Sequence, residues 1–169
     1  MEMVVENRMN GLWVIMLSFF VAMTLAVVSL PESLPMALGY LRPDWVALVL
    51  IYWVIALPHR VGIVVAWSAG LVMDVLLGSL LGQHSIAFMI IAYVAYSLYQ
   101  QLRMFAIWQQ SLVVFGIVGL NQLINFWIES IAGITEWTMW YLLPSVISAL
   151  VWPWIFLFLR FTRRSFHVT

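Results

Sequence analysis

The stretch Pro58–His84, PHRVGIVVAWSAGLVMDVLLGSLLGQH, constrains the fold more than any other part of the chain. It opens on a polar break, Pro58-His59-Arg60, and then continues for about twenty residues with one charge, Asp74, which is the length that crosses a hydrocarbon core of roughly 30 Å. A helix over about 62–81 places Gly62, Ala66, Gly70, Asp74, Gly78 and Gly82 on a four-residue ladder, and residues four apart share a helix face. Small-xxx-small faces let two helices approach closely in lipid, where apolar packing gains nothing from excluding water. Asp74 falls about 18 Å along that helix, slightly past the bilayer midplane. A carboxylate there costs roughly 2.5–3.5 kcal/mol on insertion scales, so it must face protein or water.

Composition sets the class. The 169 residues are 65% hydrophobic and 8% charged, with mean hydropathy +1.05, far from a soluble domain. One integral membrane domain over 1–169 is expected, with little chain left for a soluble module. Seven arginines balance seven acids and no lysine occurs, which argues against a nucleic-acid partner. The absence of cysteine excludes disulfides, thiolate metal sites and cysteine nucleophiles.

The pattern predicts an all-α bundle of six transmembrane helices at about 12–30, 44–57, 62–81, 85–101, 107–128 and 138–159. The first apolar run is too long for a signal h-region, so it is a retained anchor. The second segment offers only about fourteen residues, roughly 21 Å, which is short for a span. Local thinning of the bilayer, an extension back to Tyr40, or a re-entrant path would each accommodate it. Pro144 and Pro153 fall inside the sixth helix, where neighbours would have to satisfy the freed carbonyls.

Six spans put both termini on one side with His59, Arg60 and Arg103. That side collects Arg8, Arg60, Arg103, Arg160, Arg163 and Arg164, against Arg42 alone on the other. The positive-inside rule makes it cytoplasmic, as expected of a multi-pass bacterial inner-membrane bundle.

Asp74 has two readings, a proton or ion site or a hydrogen-bonded acid that fixes helix packing. A pump needs several ionisable groups near the midplane, and only this one is present. Asn121, Asn125 and Glu129 share one face of the fifth helix, either lining a polar cavity or bridging to a neighbour such as the Asp74 helix. His59-Arg60 meets a partner or a headgroup, or serves topology alone. His59, His84 and His167 have no metal-ligand spacing, and no catalytic motif appears. No cofactor, metal or enzymatic activity is expected.

The segment RPDWVALVLIYWVIALPHRVG, followed by Asp74-x₃-Gly78-Ser79-Leu80-Leu81-Gly82-Gln83-His84 and by LRMFAIWQQ from Leu102, resembles the MreD family of rod shape-determining proteins of gamma-proteobacteria. The resemblance covers essentially the whole chain. It implies a non-enzymatic membrane component of the machinery that builds lateral peptidoglycan. It further implies association with the single-span protein MreC and a shared function with MreB, RodZ, RodA and the transpeptidase partner of RodA. The family fold is similar to the six-helix substrate-binding subunit of energy-coupling-factor vitamin transporters. That similarity supplies the alternative, a small-molecule-binding transporter component.

Overall fold

The computed structural model describes residues 2–28, 42–133 and 139–166. The expected loop positions Pro31, Glu32, Pro35, Gly39 and Tyr40, with Glu136, Trp137 and His167, lie outside the described residues, as do 29–30 and 138 at two expected helix ends. Among the described residues there are six α-helices: α1 (Glu2–Val27), α2 (Trp45–Ala56), α3 (Ile63–Leu77), α4 (Gln83–Met104), α5 (Ile107–Ile131) and α6 (Leu143–Ser165). A single 3₁₀ turn, Met139–Leu142, leads into α6.

The most apolar helix takes the centre. Every residue of α2 from Val46 to Ile55 is buried, and Leu48, Leu50, Ile51, Trp53 and Val54 have no exposed surface. A helix apolar on all sides has no polar face to turn outward, so it is enclosed. α4, α1, α6 and α5 pack around it, while α3 pairs mainly with α4 and α5 with α6. This accounts for its shortness: α2 is a core element that neighbours cover, and it need not match the lipid thickness. Trp53 Nε1 donates to Ser18 Oγ at 2.8 Å and so ties α2 to α1.

Three helices, α4, α5 and α6, are long and apolar enough to cross a membrane, and the apolar helical stretches Gly11–Val27, Trp45–Ala56 and Ile63–Leu77 are shorter. Large exposed apolar side chains such as Trp154, Phe158, Leu112 and Val64 cover the outside, as a lipid-facing surface requires. α1 begins earlier than expected, at Glu2, and α3 ends earlier, at Leu77. α6 starts at Leu143, so Pro144 occupies the first turn, where its missing N–H costs nothing. Only Pro153 is interior.

Arginines close several helix ends. Arg42 Nη2 donates to Ala26 O at 3.1 Å near the end of α1. At the opposite end of the bundle Arg103 donates to Ile55 O and Ala56 O, both at 2.9 Å, with Arg163 Nη1 3.5 Å from Ala56 O. The last carbonyls of a helix carry partial negative charge and lack intrahelical donors, which is what a guanidinium fork supplies.

Candidate functional site

Apart from Gln110, which bonds Leu102 O and Trp152 Nε1 near the Arg103 end, the buried polar residues gather towards the opposite end of the bundle, around the α3–α4 turn. α3 stops because Gly78 adopts φ +64°, a left-handed cap that sends its N–H back to Asp74 O. Gly82, at φ +99°, then precedes α4. Neither glycine packs against a neighbour, since a Cβ at either would meet open space, and the same holds at Gly62. The six-residue ladder is therefore not one face of one helix. Its packing member is Gly70, whose added Cβ would lie 2.3 Å from Ser85 Cα and 2.5 Å from Ser85 N. Buried Ala66 lies one turn below on the same face. Here α3 meets the first turn of α4 backbone to backbone, the contact that a missing side chain permits.

Asp74 sits in the last turn of α3, fully buried, and not near mid-span. Five donors surround its carboxylate. Oδ1 accepts from Ser79 Oγ at 3.0 Å and from His84 N at 2.9 Å, and His84 Nδ1 lies 2.9 Å away, which places the ring proton on Nδ1. Oδ2 accepts from Gly82 N at 2.8 Å and Ser85 Oγ at 3.2 Å. α4 has no side-chain cap of its own, because its N-cap is Gly82. Asp74 acts as that cap from the preceding helix, satisfying orphan N–H groups and setting a negative charge at the positive end of α4. With both oxygens shared among short-range donors, this carboxylate is a structural junction.

The α5 face does not reach Asp74 directly. Asn121 Nδ2 donates to Asp44 Oδ2 at 2.6 Å, and Asp44 Oδ1 accepts from Ala47 N at 3.2 Å as the N-cap of α2. Asp44 N donates to Ser148 Oγ on α6 at 2.9 Å. Asn125 Nδ2 turns back to Asn121 O at 3.0 Å. Glu129 accepts from Gln83 Nε2 at 2.8 Å and from Tyr141 Oη at 3.2 Å, so it links α5 to the start of α4 and to the 3₁₀ turn. Two amide oxygens, Asn121 Oδ1 and Asn125 Oδ1, are buried without a donor.

His59, Arg60 and Arg103 come together elsewhere, at the arginine end. They line a small pocket with Tyr99 and the C-terminal residues of α2. Sequence reasoning marks Asp44 only as an acid at a helix start and His84 only as a histidine without metal-ligand spacing, and it singles out none of Gln83, Ser85 or Ser148, which bond Glu129, Asp74 and Asp44. The signals were present: Pro43-Asp44 marks a helix start, and Gly78-Ser79 with Gly82 marks a turn. Among the described residues, no cluster of three histidine, cysteine or acidic side chains has the geometry of a metal site. Ser79 Oγ also lies 3.3 Å from His84 Nδ1, but both groups are engaged with Asp74 Oδ1, and the chemistry of the arrangement is hydrogen bonding and close packing.

Comparison with known proteins assigns this architecture. The family described as rod shape-determining protein MreD matches residues 7–162. The rod shape-determining protein MreD of Haemophilus influenzae is 36% identical over 162 residues, covering 95% of this chain and 97% of that protein. No solved structure matches. Matching along nearly its full length to both, the chain belongs to the MreD family of rod shape-determining membrane proteins.

Proposed function

We propose that the protein is a non-catalytic membrane component of the rod complex, holding the single-span protein MreC and the wall synthases together during lateral peptidoglycan synthesis. MreB, RodZ, RodA and the transpeptidase partner of RodA are the further members of that assembly. The orientation that fits is six membrane-inserted helices with both termini and the Arg60/Arg103 end in the cytoplasm, because arginines concentrate there. The family supplies the process, and the engagement of the interior acids, amides and hydroxyls in hydrogen bonds between elements supports a role through contacts.

One observation carries the location of the contact. A groove of about 1220 Å³ runs between α1 and α6, floored by Trp45 and Val49 of α2 and walled by Leu17, Val21, Trp154 and Phe158. Here Trp45 and Val49 of the central helix line a gap between two neighbouring helices. A partner's apolar membrane helix fills such a groove by van der Waals packing, the main attraction available between helices in lipid. A vitamin-binding subunit would instead enclose its ligand, whereas the interior here is occupied by α2.

Photoreactive residues at Leu17, Val21, Trp154 and Phe158, compared with Tyr93 and Leu112 on other faces, test this in cells. Capture of MreC from the groove positions and not from the others is expected. Equal capture from all six, or from none while a vitamin-sized molecule copurifies with the protein, would overturn the reading.

A further inference from the structure

At the arginine end, the turn Pro58–Arg60 and the last turn of α4 enclose a pocket of about 220 Å³ lined by His59, Arg60, Tyr99 and Arg103 with Ala56 and Leu57. Two arginines line it, and they are not equivalent. Arg103 is occupied: it donates to two carbonyls at the end of α2 and stacks over the Tyr99 ring at 5.3 Å. Arg60 is not. Its backbone N–H closes the turn onto Leu57 O at 3.0 Å, but its Nη1 is buried without any acceptor. His84–Asp74, at the other end of the bundle, is the ion pair found among the described residues, so no described carboxylate neutralises Arg60.

A topological signal needs only a positive charge in water. Burying one of its charged donors beside a second guanidinium is costly and serves no topological purpose. An arrangement of this kind is stable when an anion with several acceptor oxygens enters it. Forked guanidinium donors with a phenol hydroxyl suit the tetrahedral oxygens of a phosphate. The volume holds a phosphate with a few attached atoms and excludes an acyl chain. Immediately beside it the surface turns apolar and exposed, at Ile63 and Val64 on α3 and at Met104 after Arg103. A phosphate bound here would therefore have its chains laid along the lipid-facing wall of the same protein.

We infer that the His59–Arg60–Tyr99–Arg103 pocket binds the headgroup phosphate of an anionic phospholipid in the leaflet at that end, with Arg60 as its principal ligand. The site is independent of the α1–α6 groove and of the partner assigned to it.

The full chain in phosphatidylcholine-containing micelles, titrated with phosphatidylglycerol, provides the test, read by native mass spectrometry and thermal unfolding. One or two bound phosphatidylglycerol molecules and a raised melting temperature are expected. Arg60→Gln should weaken that binding about tenfold or more, the worth of one charge-assisted hydrogen bond. Arg164→Gln, at an exposed arginine of the same end outside the pocket, should leave it unchanged. Arg60→Lys, which keeps the charge and loses the fork, should fall between the two, and it serves as the reporter if Arg60→Gln lowers the melting temperature before lipid is added. Equal weakening by the Arg60 and Arg164 variants would mean diffuse attraction and would overturn the site. Saturation of the same stabilisation by glycerol 3-phosphate at comparable concentration would overturn its assignment to a lipid.

Discussion

Two polar clusters lie at the same end of the bundle, and they differ in how completely their hydrogen bonds are met. Both carboxylate oxygens of Asp74 are paired, with donors supplied by the backbone or side chains of Ser79, Gly82, His84 and Ser85. The α5 cluster is assembled from distant parts of the chain, with Asn121 bonded to Asp44 across 77 positions. It leaves Asn121 Oδ1 and Asn125 Oδ1 buried and unpaired. Short loops are inexpensive to close, so a junction made within one turn can be completed before the bundle assembles. A cluster that depends on four elements meeting is completed last, and its spare acceptors remain for water or another chain. The first cluster builds the fold, while the second is the part of the interior still able to accept a hydrogen bond.

That contrast can be broken most forcefully at Asp74. Asp74→Leu would leave the Gly82 and His84 N–H groups and two hydroxyls without an acceptor, and a loss of about 3–5 kcal/mol is expected. Asp74→Asn keeps one acceptor oxygen and should cost only about 1–2 kcal/mol. Thermal unfolding in detergent, with protein abundance in cells, measures both. If Asp74→Asn abolished rod shape at unchanged abundance and melting temperature, ionisation would serve function and the junction reading would fail.

The next largest effect belongs to Gly70. Because its added Cβ would sit 2.3 Å from Ser85 Cα, even Gly70→Ala must push α3 away from the start of α4 and stretch the Asp74 bonds. Overpacking of this kind costs about 1–3 kcal/mol, and the coupling to Asp74 favours the upper part of that range. Gly62→Ala, which meets nothing, should cost less than about 0.5 kcal/mol. Equal effects at the two positions would restore the continuous packing ladder that the spacing suggests.

Much of this was legible in the sequence, and the failures have physical causes. The long apolar runs mark α4 and α5, and a carboxyl such as Asp74 within an apolar run must face protein or water, since lipid offers it nothing. The position of α2 was not legible, because an all-apolar segment looks alike whether lipid or protein surrounds it. The ladder misled for a related reason. Glycine serves both close packing and positive φ, and only the backbone distinguishes Gly70 from Gly78 and Gly82. The spacing leaves the α5 face either lining a cavity or bridging to a neighbour such as the Asp74 helix, whereas the nearest donors to Asp74 are five to eleven residues ahead. Reading Gly78-Ser79 as the end of a helix would have placed those donors within reach.

The smallest effect on stability separates the two amides of α5. Asn121→Leu removes the Asp44 Oδ2 partner and leaves that buried oxygen unpaired, which should cost about 1–3 kcal/mol. Asn125 donates only to a backbone carbonyl within its own helix and holds an unpaired oxygen, so Asn125→Leu removes an unmet acceptor along with one weak bond. The two terms oppose each other, and replacement by an apolar side chain of similar volume is expected to change stability by less than about 1 kcal/mol in either direction. Its effect on cell shape is the informative readout. If the spare acceptors of α5 serve a contact with another chain, cells carrying Asn125→Leu should lose rod shape while the protein remains at normal abundance and melts normally. Asn125→Asp, which keeps the acceptor, should retain shape better than Asn125→Leu. A stability loss in Asn125→Leu as large as that in Asn121→Leu would mean that a donor already reaches Oδ1 in the membrane, and the cluster would then be as complete as the one around Asp74.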